Sequence, residues 1–348
     1  MYSLLKPFIF KIDPEIAHDL AIKSLKYNFL PEDIFKVQNE EILETKIFDT
    51  KIKNPIGLAA GFDKSAEVYN SLFRFGFGFI EIGTVTLKAQ YGNPKPRVFR
   101  LENDRALINR LGFNNDGVEK VSKRLQKNPP TGFLGINIGP NKDSGNRIDD
   151  YLKCIKEINT FANYITINIS SPNTPGLRDF HDQSTLQNLL KEITNFTKKN
   201  KIHKPLALKI SPDIADSEIG FIIESIKKFK ISAIIISNTT DKNRENLIET
   251  HKSETGGLSG EPLSKISNDL IKKFYKETKG EIIIIGVGGV SSGLTAYEKL
   301  KSGANLLQLY TGMVYEGPGI VKKIKGELIA ILKKEKIKNV SEIVGTGS

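Results

Sequence analysis

Short apolar runs recur along the chain, and most of them end in glycine, serine, threonine or asparagine. Eight runs follow this pattern: Pro55–Ala60, Phe79–Thr84, Phe133–Gly139, Tyr164–Ser170, Leu206–Ser211, Ala233–Ser237, Ile282–Gly288 and Leu306–Gly312. Most are near-continuous stretches of Ile, Val and Leu rather than strict alternations, which is typical of parallel strands buried on both faces. The pattern therefore predicts eight buried parallel strands.

Helix-like stretches separate these runs. Ser217–Phe229 carries four isoleucines at helical spacing, and Ser291–Ser302 is followed by a glycine. Eight strands alternating with helices predict an α/β fold, a (β/α)8 TIM barrel. The alternative is an open doubly wound sheet, but the G-x-G-x-x-G fingerprint usual after its first strand is missing.

A segment of about 40 residues precedes the first predicted strand. One face of a first short helix would carry Leu4, Leu5, Phe8, Ile9 and Ile12. The sequence Asp13-Pro14-Glu15 supplies an N-cap, a first-turn proline and an early acid for a second helix. We expect a helical segment at 1–40, a barrel at 41–340 and a tail at 341–348. The helices either cap the barrel end or lie against a lipid surface, and the pattern leaves both readings open.

The composition narrows the class of protein without choosing a partner. The 348 residues are 39% hydrophobic, and Lys and Arg outnumber Asp and Glu by 51 to 40, which gives a charge of +11. This charge suits nucleic acid, an acidic membrane surface or an anionic small molecule. No nucleic-acid-binding motif appears, and Lys322–Lys338 is typical of a solvated helix and tail, so we expect no nucleic acid partner.

Cysteine and histidine usage argues against a metal enzyme. The lone cysteine, Cys154, excludes an internal disulfide and a Cys-based zinc site. None of the four histidines pairs with another at ligand spacing, so we expect no metal. The G-x-S-x-G elbow of serine hydrolases is also absent. No window approaches the roughly 18 apolar residues of a membrane span, and we expect no cleaved signal peptide.

Polar residues follow the predicted strands, where catalytic groups of such barrels lie. The seventh and eighth runs end in glycine-rich turns, typical of a phosphate site built from backbone N–H groups, with Gly286, Gly288, Gly289, Thr311 and Gly312. Lys209 in the fifth run would add a fixed positive charge. Five amides suit a planar ligand edged with N–H and C=O groups: Asn109, Asn137, Asn168, Asn173 and Asn238. These signals predict a phosphate-bearing cofactor in the barrel mouth.

An ordered set of motifs resembles one family closely. It comprises AAGFDKSAE, EIGTVT, NPKPRVFRL, INRLGFNN, GINIG, NISSPNTPGLR, SNTT, GGLSG, GVGG and YTG. Together they resemble the membrane-associated, class 2 dihydroorotate dehydrogenases over nearly the whole chain. The resemblance implies an FMN-containing barrel that oxidises (S)-dihydroorotate to orotate in pyrimidine synthesis and passes electrons to a quinone.

The resemblance also implies roles for individual residues. Ser171 would be the catalytic base, flanked by Thr174 and Phe113. The substrate would contact Lys64, Asn109, Arg110, Leu111, Gly112, Phe113, Asn168, Asn173, Asn238 and Thr239. One FMN per chain would contact Ala60, Gly61, Phe62, Asp63, Lys64, Thr84, Asn137, Asn168, Lys209, Ser237, Gly260, Gly289, Tyr310 and Thr311. The soluble classes usually carry cysteine where this sequence has Ser171.

The same resemblance implies a function for the amino-terminal helices. They would form an apolar passage for a membrane quinone, with His18 and Arg100 at its head-group end. We expect a monomer that binds the anionic cytoplasmic face of a bacterial membrane peripherally. The rival is a soluble FMN barrel dehydrogenase that uses fumarate or NAD, which Ser171 and the amino-terminal helices disfavour.

Overall fold

The computed structural model describes residues 2–27 and 40–348, and the remaining part of the predicted 1–40 segment lies outside them. Eight of its strands form a closed parallel barrel: β3 Ile56–Leu58, β4 Phe79–Val85, β7 Phe133–Ile138, β8 Tyr164–Asn168, β9 Leu206–Ile210, β10 Ala233–Ile236, β12 Ile283–Val287 and β13 Leu306–Leu309. They neighbour one another in this order, and β13 pairs with β3 to close the ring. Each falls within a run predicted from the sequence or extends one slightly. The predicted TIM barrel is confirmed.

Helices cover the outside of the barrel. They are α3 Tyr69–Phe73, α4 Val118–Lys127, α5 Arg147–Ile158, α6 Gln183–Lys199, α7 Asp216–Lys228, α8 Leu263–Thr278, α9 Gly293–Lys301, α10 Thr311–Glu316 and α11 Ile320–Lys334. Most barrel strands are buried along their whole length because these helices cover one face and the barrel interior the other. Helix α11 is only partly solvated, contrary to the expectation for Lys322–Lys338, since Ile324 and Leu328 are buried.

Two small sheets were not predicted. The hairpin β1 Thr45–Ile47 and β2 Thr50–Ile52 is antiparallel. Its Ile47 and Ile52 pack against residues at the amino ends of the barrel strands, such as Phe79 and Ala233, and so close that end of the barrel. The second sheet joins β5 Val98–Leu101, β6 Ala106–Asn109 and β11 Gly257–Gly260, with β6 in the middle.

The amino-terminal segment forms the two predicted helices, α1 Tyr2–Ile9 and α2 Pro14–Lys26. Asp13 caps α2 by accepting hydrogen bonds from the backbone N–H groups of Glu15 and Ile16 at 2.9 and 3.0 Å. Glu15 pairs with the buried Arg97 at 2.6 Å, which ties α2 to the segment before β5. Among the described helices, none combines the length and apolarity needed to cross a membrane.

The carboxy-terminal residues pack against the barrel layer rather than projecting from it. The short 3-10 helix Val340–Ile343 buries Val340 and Ile343. The backbone N–H groups of Gly345 and Gly347 donate to the carbonyls of Leu300 and Lys301 at 3.1 and 2.9 Å. The end of the chain therefore continues the outer layer next to α9.

Candidate active site

A cavity of about 1130 Å³, measured with its open mouth, lies at the carboxyl ends of the barrel strands. Residues from β5, β6 and β11 line it as well, so the three-stranded sheet forms one wall. The cavity therefore occupies the position where (β/α)8 barrels carry their chemistry.

Most of the predicted site residues meet in this cavity. Those that line it are Ala60, Gly61, Lys64, Thr84, Asn109, Leu111, Gly112, Phe113, Asn168, Ser171, Asn173, Lys209, Ser237, Asn238, Thr239, Gly260, Gly288, Gly289, Tyr310, Thr311 and Gly312. They come from loops that are far apart in sequence. Their convergence follows from the closed parallel barrel, which brings the strand ends to one rim.

The described lining residues include two lysines and no carboxylate. Lys209 on β9 is buried, and burial lowers the pKa of its ammonium group, although Glu81 nearby favours the charged form. Burial also lowers the pKa of Lys64 to about 8, so Lys64 stays mostly protonated at neutral pH. The cavity is therefore suited to an anionic ligand.

Three amides in and behind the cavity wall, those of Asn238, Asn168 and Asn137, belong to one directed hydrogen-bond chain. The Asn238 Nδ2 donates to Ser170 Oγ at 2.9 Å, and Ser170 Oγ donates to Asn168 Oδ1 at 2.8 Å. Asn168 Nδ2 donates to Asn137 Oδ1 at 3.2 Å, and Asn137 Nδ2 donates to Glu81 Oε1 at 2.8 Å. The carboxylate can only accept, so it fixes the orientation of each amide in the chain.

Ser171 lies in the loop after β8 and is buried. Its Oγ accepts the backbone N–H of Asn173 at 3.2 Å, which fixes the turn. Asn173 Nδ2 in turn donates to the backbone carbonyl of Asn109, at the end of β6, at 3.0 Å. A hydrogen bond thereby connects the loop that carries Ser171 to the three-stranded sheet, which forms one wall of the cavity.

The turn at Gly112 and Phe113 shapes the wall next to this loop. Both residues have positive φ, 73° and 56°, which is sterically unfavourable for the phenylalanine. A Cβ at Gly112 would meet the Asn93 side chain at 2.8 Å. The tight turn places Phe113 at the edge of the cavity.

Eight predicted residues do not line the cavity. They are Phe62, Asp63, Arg110, Asn137, Thr174, Gly286, His18 and Arg100. Asp63 accepts the backbone N–H groups of Glu67 and Val68, both at 2.8 Å, and so holds the turn that carries Lys64. Arg110 pairs with Glu254 at 2.7 Å.

Besides Phe62 and Asp63, which are also buried, three of these eight residues lie behind the cavity surface. Asn137 is fully buried on β7, and Thr174 is buried within the Ser171 loop. Gly286 lies within β12 rather than in the turn after it, so it belongs to the barrel wall. A role for these three residues is therefore to support the groups that face a ligand.

The predicted quinone-site residues lie together with the helical segment. The His18 ring contacts the Phe62 ring edge to face with centroids 5.0 Å apart, and Phe62 contacts Tyr310 at 6.0 Å. Burial lowers the pKa of His18 to about 3, so its imidazole is neutral at physiological pH. Arg100 Nη1 donates to the carbonyls of Phe10 and Ile12 at 3.2 and 2.7 Å, which fixes the linker between α1 and α2.

Two polar residues that organise the site were not predicted from the sequence. Glu81 lies inside the apolar run of β4, and Arg178 follows the Ser171 loop. Charged residues are rare within buried strands, so the position of Glu81 in the sequence could have identified it as a functional or structural residue. Within the described ranges, no group of three His, Cys, Asp or Glu side chains is arranged to hold a metal ion.

The fold and the cavity define a (β/α)8-barrel protein whose deep cavity, lined by lysines and amides, suits an anionic ligand. A family profile for dihydroorotate dehydrogenase matches residues 42–332. The chain belongs to the dihydroorotate dehydrogenase family.

Known relatives are similar to this protein in sequence and structure over nearly the whole chain. The "Dihydroorotate dehydrogenase (quinone)" of Bartonella tribocorum is 48% identical over 96% of this chain and 93% of its own. The protein of the same name from Idiomarina loihiensis is 44% identical over 94% of this chain and 100% of its own. A crystal structure of the Eimeria tenella enzyme in complex with ferulenol superposes with a TM-score of 0.92 at 37% identity, covering 96% of this chain and 95% of that one.

The buried His181 makes the stability of this region depend on pH. Its Nε2 accepts the backbone N–H of Ser211 at 3.3 Å, and burial lowers its pKa to about 4 from the ordinary 6.5. Between these values the unfolded chain binds the extra proton, so the free energy of unfolding should fall as pH drops from 6.5 towards 4. His181→Gln should show a smaller fall, measured by urea unfolding near the two ends of this range. Equal pH dependence in both proteins would contradict this assignment.

Proposed function

We propose that this chain oxidises (S)-dihydroorotate to orotate in de novo pyrimidine synthesis, with FMN as hydride acceptor and a membrane quinone as final electron acceptor. The observation that carries the proposal is the cavity that gathers Ser171, Lys64, Lys209 and the amide chain at one barrel rim. The quinone in the names of the relatives favours this acceptor over fumarate or NAD.

The cavity residues fit FMN by their chemistry. The backbone N–H of Gly289, which follows β12, donates to no other described residue, so it is free for a phosphate oxygen. A Cβ at Gly289 would come within 2.4 Å of Ser264, so a larger residue would crowd this turn. Lys209 is buried, and the charge of Glu81 favours its ammonium form. One FMN per chain would be held by this turn, by Lys209 and by the other cavity-lining residues that the family resemblance assigns to it.

FMN, when bound, would supply the acceptor for the hydride that leaves C6 of the substrate. The protein must remove the proton from C5 so that the C5–C6 double bond can form. Ser171 Oγ is the group that we assign to this proton. A serine hydroxyl is a weak base, so it depends on fixed orientation and on passing its own proton onward. The hydrogen bond from the Asn173 N–H restricts that orientation, and the buried Thr174 packs in the same loop.

The substrate is a planar, imide-edged carboxylate, which matches the groups around Ser171. Lys64 would attract the carboxylate, and amides can both donate to and accept from the ring edge. The fixed direction of the chain from Asn238 to Glu81 holds Asn168 and Asn238, the two amides of the chain that line the cavity, in one orientation towards the ligand. The remaining substrate contacts would come from Asn109, Leu111, Gly112, Phe113, Asn168, Asn173 and Thr239.

The helical segment would provide the quinone side of the reaction. Phe62 lies between His18 on α2 and Tyr310 in the cavity wall, with ring contacts on both sides. This row of rings connects α2 with the wall of the cofactor cavity. We infer that the quinone head group binds near His18 and Arg100.

The outer face of the helical segment supports peripheral membrane attachment. Apolar side chains on it are at least half exposed: Leu4 75%, Leu5 52%, Phe8 68%, Ile16 52% and Leu20 50%. Contiguous exposed apolar side chains mark membrane or protein contact sites. Lys6, Lys11 and Lys23 lie on the same segment, where anionic headgroups would attract them. We propose a monomer bound to the cytoplasmic face of a bacterial membrane.

Ser171→Ala tests the assigned base. Loss of the hydroxyl should slow reduction of bound flavin by dihydroorotate about 10²-fold or more, because general base catalysis contributes at least that much. Anaerobic stopped-flow absorbance measures this step directly. Flavin content, orotate binding and reoxidation by a short-chain quinone should remain near wild type and serve as internal controls. An unchanged rate of flavin reduction would remove Ser171 from this role.

A triple substitution tests the membrane contact. Leu4→Gln, Leu5→Gln and Phe8→Gln together should weaken binding to phosphatidylglycerol-containing vesicles at least about tenfold, since each buried apolar side chain contributes about 1.5–3 kcal/mol. Vesicle co-sedimentation measures the loss, and flavin reduction by dihydroorotate should not change. The matched control is Ile248→Gln with Leu294→Gln, which alters side chains that are 72% and 56% exposed on the barrel. Equal vesicle binding by wild type and both variants would contradict the attachment.

A further inference from the structure

Arg178 lies just after the loop that carries Ser171, at the start of the 3-10 helix Arg178–His181. Its guanidinium is not among the described groups that line the cavity, so it does not contact the ligands held there. Its Nε donates to the backbone carbonyl of Ser170 at 3.3 Å, and its Nη2 donates to the carbonyl of Thr239 at 3.3 Å. The Arg178 side chain thus binds the backbone of Ser170, which precedes the proposed base, and the backbone of Thr239, a proposed substrate contact.

Two aspartates complete the contacts of the guanidinium. Nη2 lies 3.1 Å from Asp213 Oδ2, and Nη1 lies 3.2 Å from both carboxylate oxygens of Asp241. Asp213 is itself fastened to the loop after β10, because it accepts the Thr240 hydroxyl and the backbone N–H of Asp241. The group therefore joins the loops that follow β8, β9 and β10.

The backbone of Arg178 is anchored as well as its side chain. The Nδ1 of His181 lies 3.1 Å from the Arg178 carbonyl, and its Nε2 accepts the N–H of Ser211 after β9. Because Nε2 accepts, the proton of the neutral ring is on Nδ1 and is donated to that carbonyl. The backbone that carries the guanidinium is consequently fixed relative to the three loops.

An arginine is the side chain that this geometry requires. Its planar fork offers five N–H donors in fixed directions, whereas a lysine ammonium is a single point charge on a flexible stem. We propose that Arg178 is a positioning residue for the proton transfer. It would hold the backbone at Ser170 and Ser171 in a fixed position relative to the loop after β10 that carries Thr239. This inference rests on the proposed function, since it acts through Ser171.

The test compares Arg178→Met and Arg178→Lys with Asp241→Asn in the full-length protein. Arg178→Met should lower the limiting rate of flavin reduction by dihydroorotate at least about tenfold. Arg178→Lys should be intermediate, because it retains the charge but cannot reach three loops. Asp241→Asn should stay within about twofold of wild type, because it alters only the exposed end of the cluster and leaves both carbonyl contacts in place. Thermal melting and flavin content of each variant report on folding.

Coupling to Ser171 separates positioning from general stability. In a Ser171→Ala background, Arg178→Met should slow flavin reduction less than about threefold, because the group that it positions is already lost. Reoxidation of the reduced flavin by a short-chain quinone should be unchanged in every variant. Should Arg178→Met fail to fold, the same cycle with Arg178→Lys keeps the comparison available.

Failure of the positioning role can be told from failure of the proposed function. If dihydroorotate does not bleach the flavin of the wild-type protein, the proposed function itself is wrong. If wild type is reduced but both Arg178 variants match its rate, the positioning role is wrong. A tenfold loss that persists undiminished in the Ser171→Ala background, or equal losses in both half-reactions, would also overturn it.

Discussion

The carboxylate of Glu81 in the barrel interior ties together the strands that carry the site. It accepts hydrogen bonds from Asn137 on β7, from Tyr164 and Thr166 on β8 and from Gln308 on β13, at 2.8, 2.8, 3.1 and 3.0 Å. A fully buried carboxylate is costly unless its lone pairs are satisfied, and here four donors do so. The same requirement orients Asn137, and through it the amides of the cavity.

The closed barrel then brings the residues oriented from its interior together in one site. Lys209, Asn168 and Asn238 stand on or beside neighbouring strands, and each reaches the rim because parallel strands all end on the same side. The loops beyond the strands need further ties, which Arg178, Asn173 and Asp63 supply through backbone groups. Chemistry at the rim thus depends on hydrogen bonds one layer behind the residues that would touch the ligands.

Much of the fold could be predicted from the sequence because the barrel strands are buried on both faces. An uninterrupted apolar run such as Ile282–Gly288 is typical of a strand covered on both sides, and the polar residues after it lie at the rim by topology. The hairpin at 45–52 and the sheet of β5, β6 and β11 escaped prediction because polar residues interrupt most of their short strands. The barrel strands β3, β10 and β13 are as short, but their residues are apolar or glycine except for one glutamine, and all of them are buried.

The residues of the candidate site also fall into two groups, those that the sequence pattern predicted and those that it did not. Lys209 and the asparagines could be found because they stand at strand ends, whereas the roles of Ser171 and His18 rested on family resemblance. The predicted residues that do not line the cavity include Asp63 and Asn137, which act behind it. Linear sequence does not separate a residue that touches a ligand from one that orients its neighbour, because both lie in the same motif.

Anaerobic visible spectroscopy of the purified protein tests the proposed reaction most directly. We expect the protein to carry flavin, dihydroorotate to bleach its absorbance, and a short-chain ubiquinone analogue to restore it. Bleaching that only fumarate or NAD reverses would contradict the quinone assignment. A protein that shows no flavin absorbance even after FMN is supplied would contradict the assigned site as a whole.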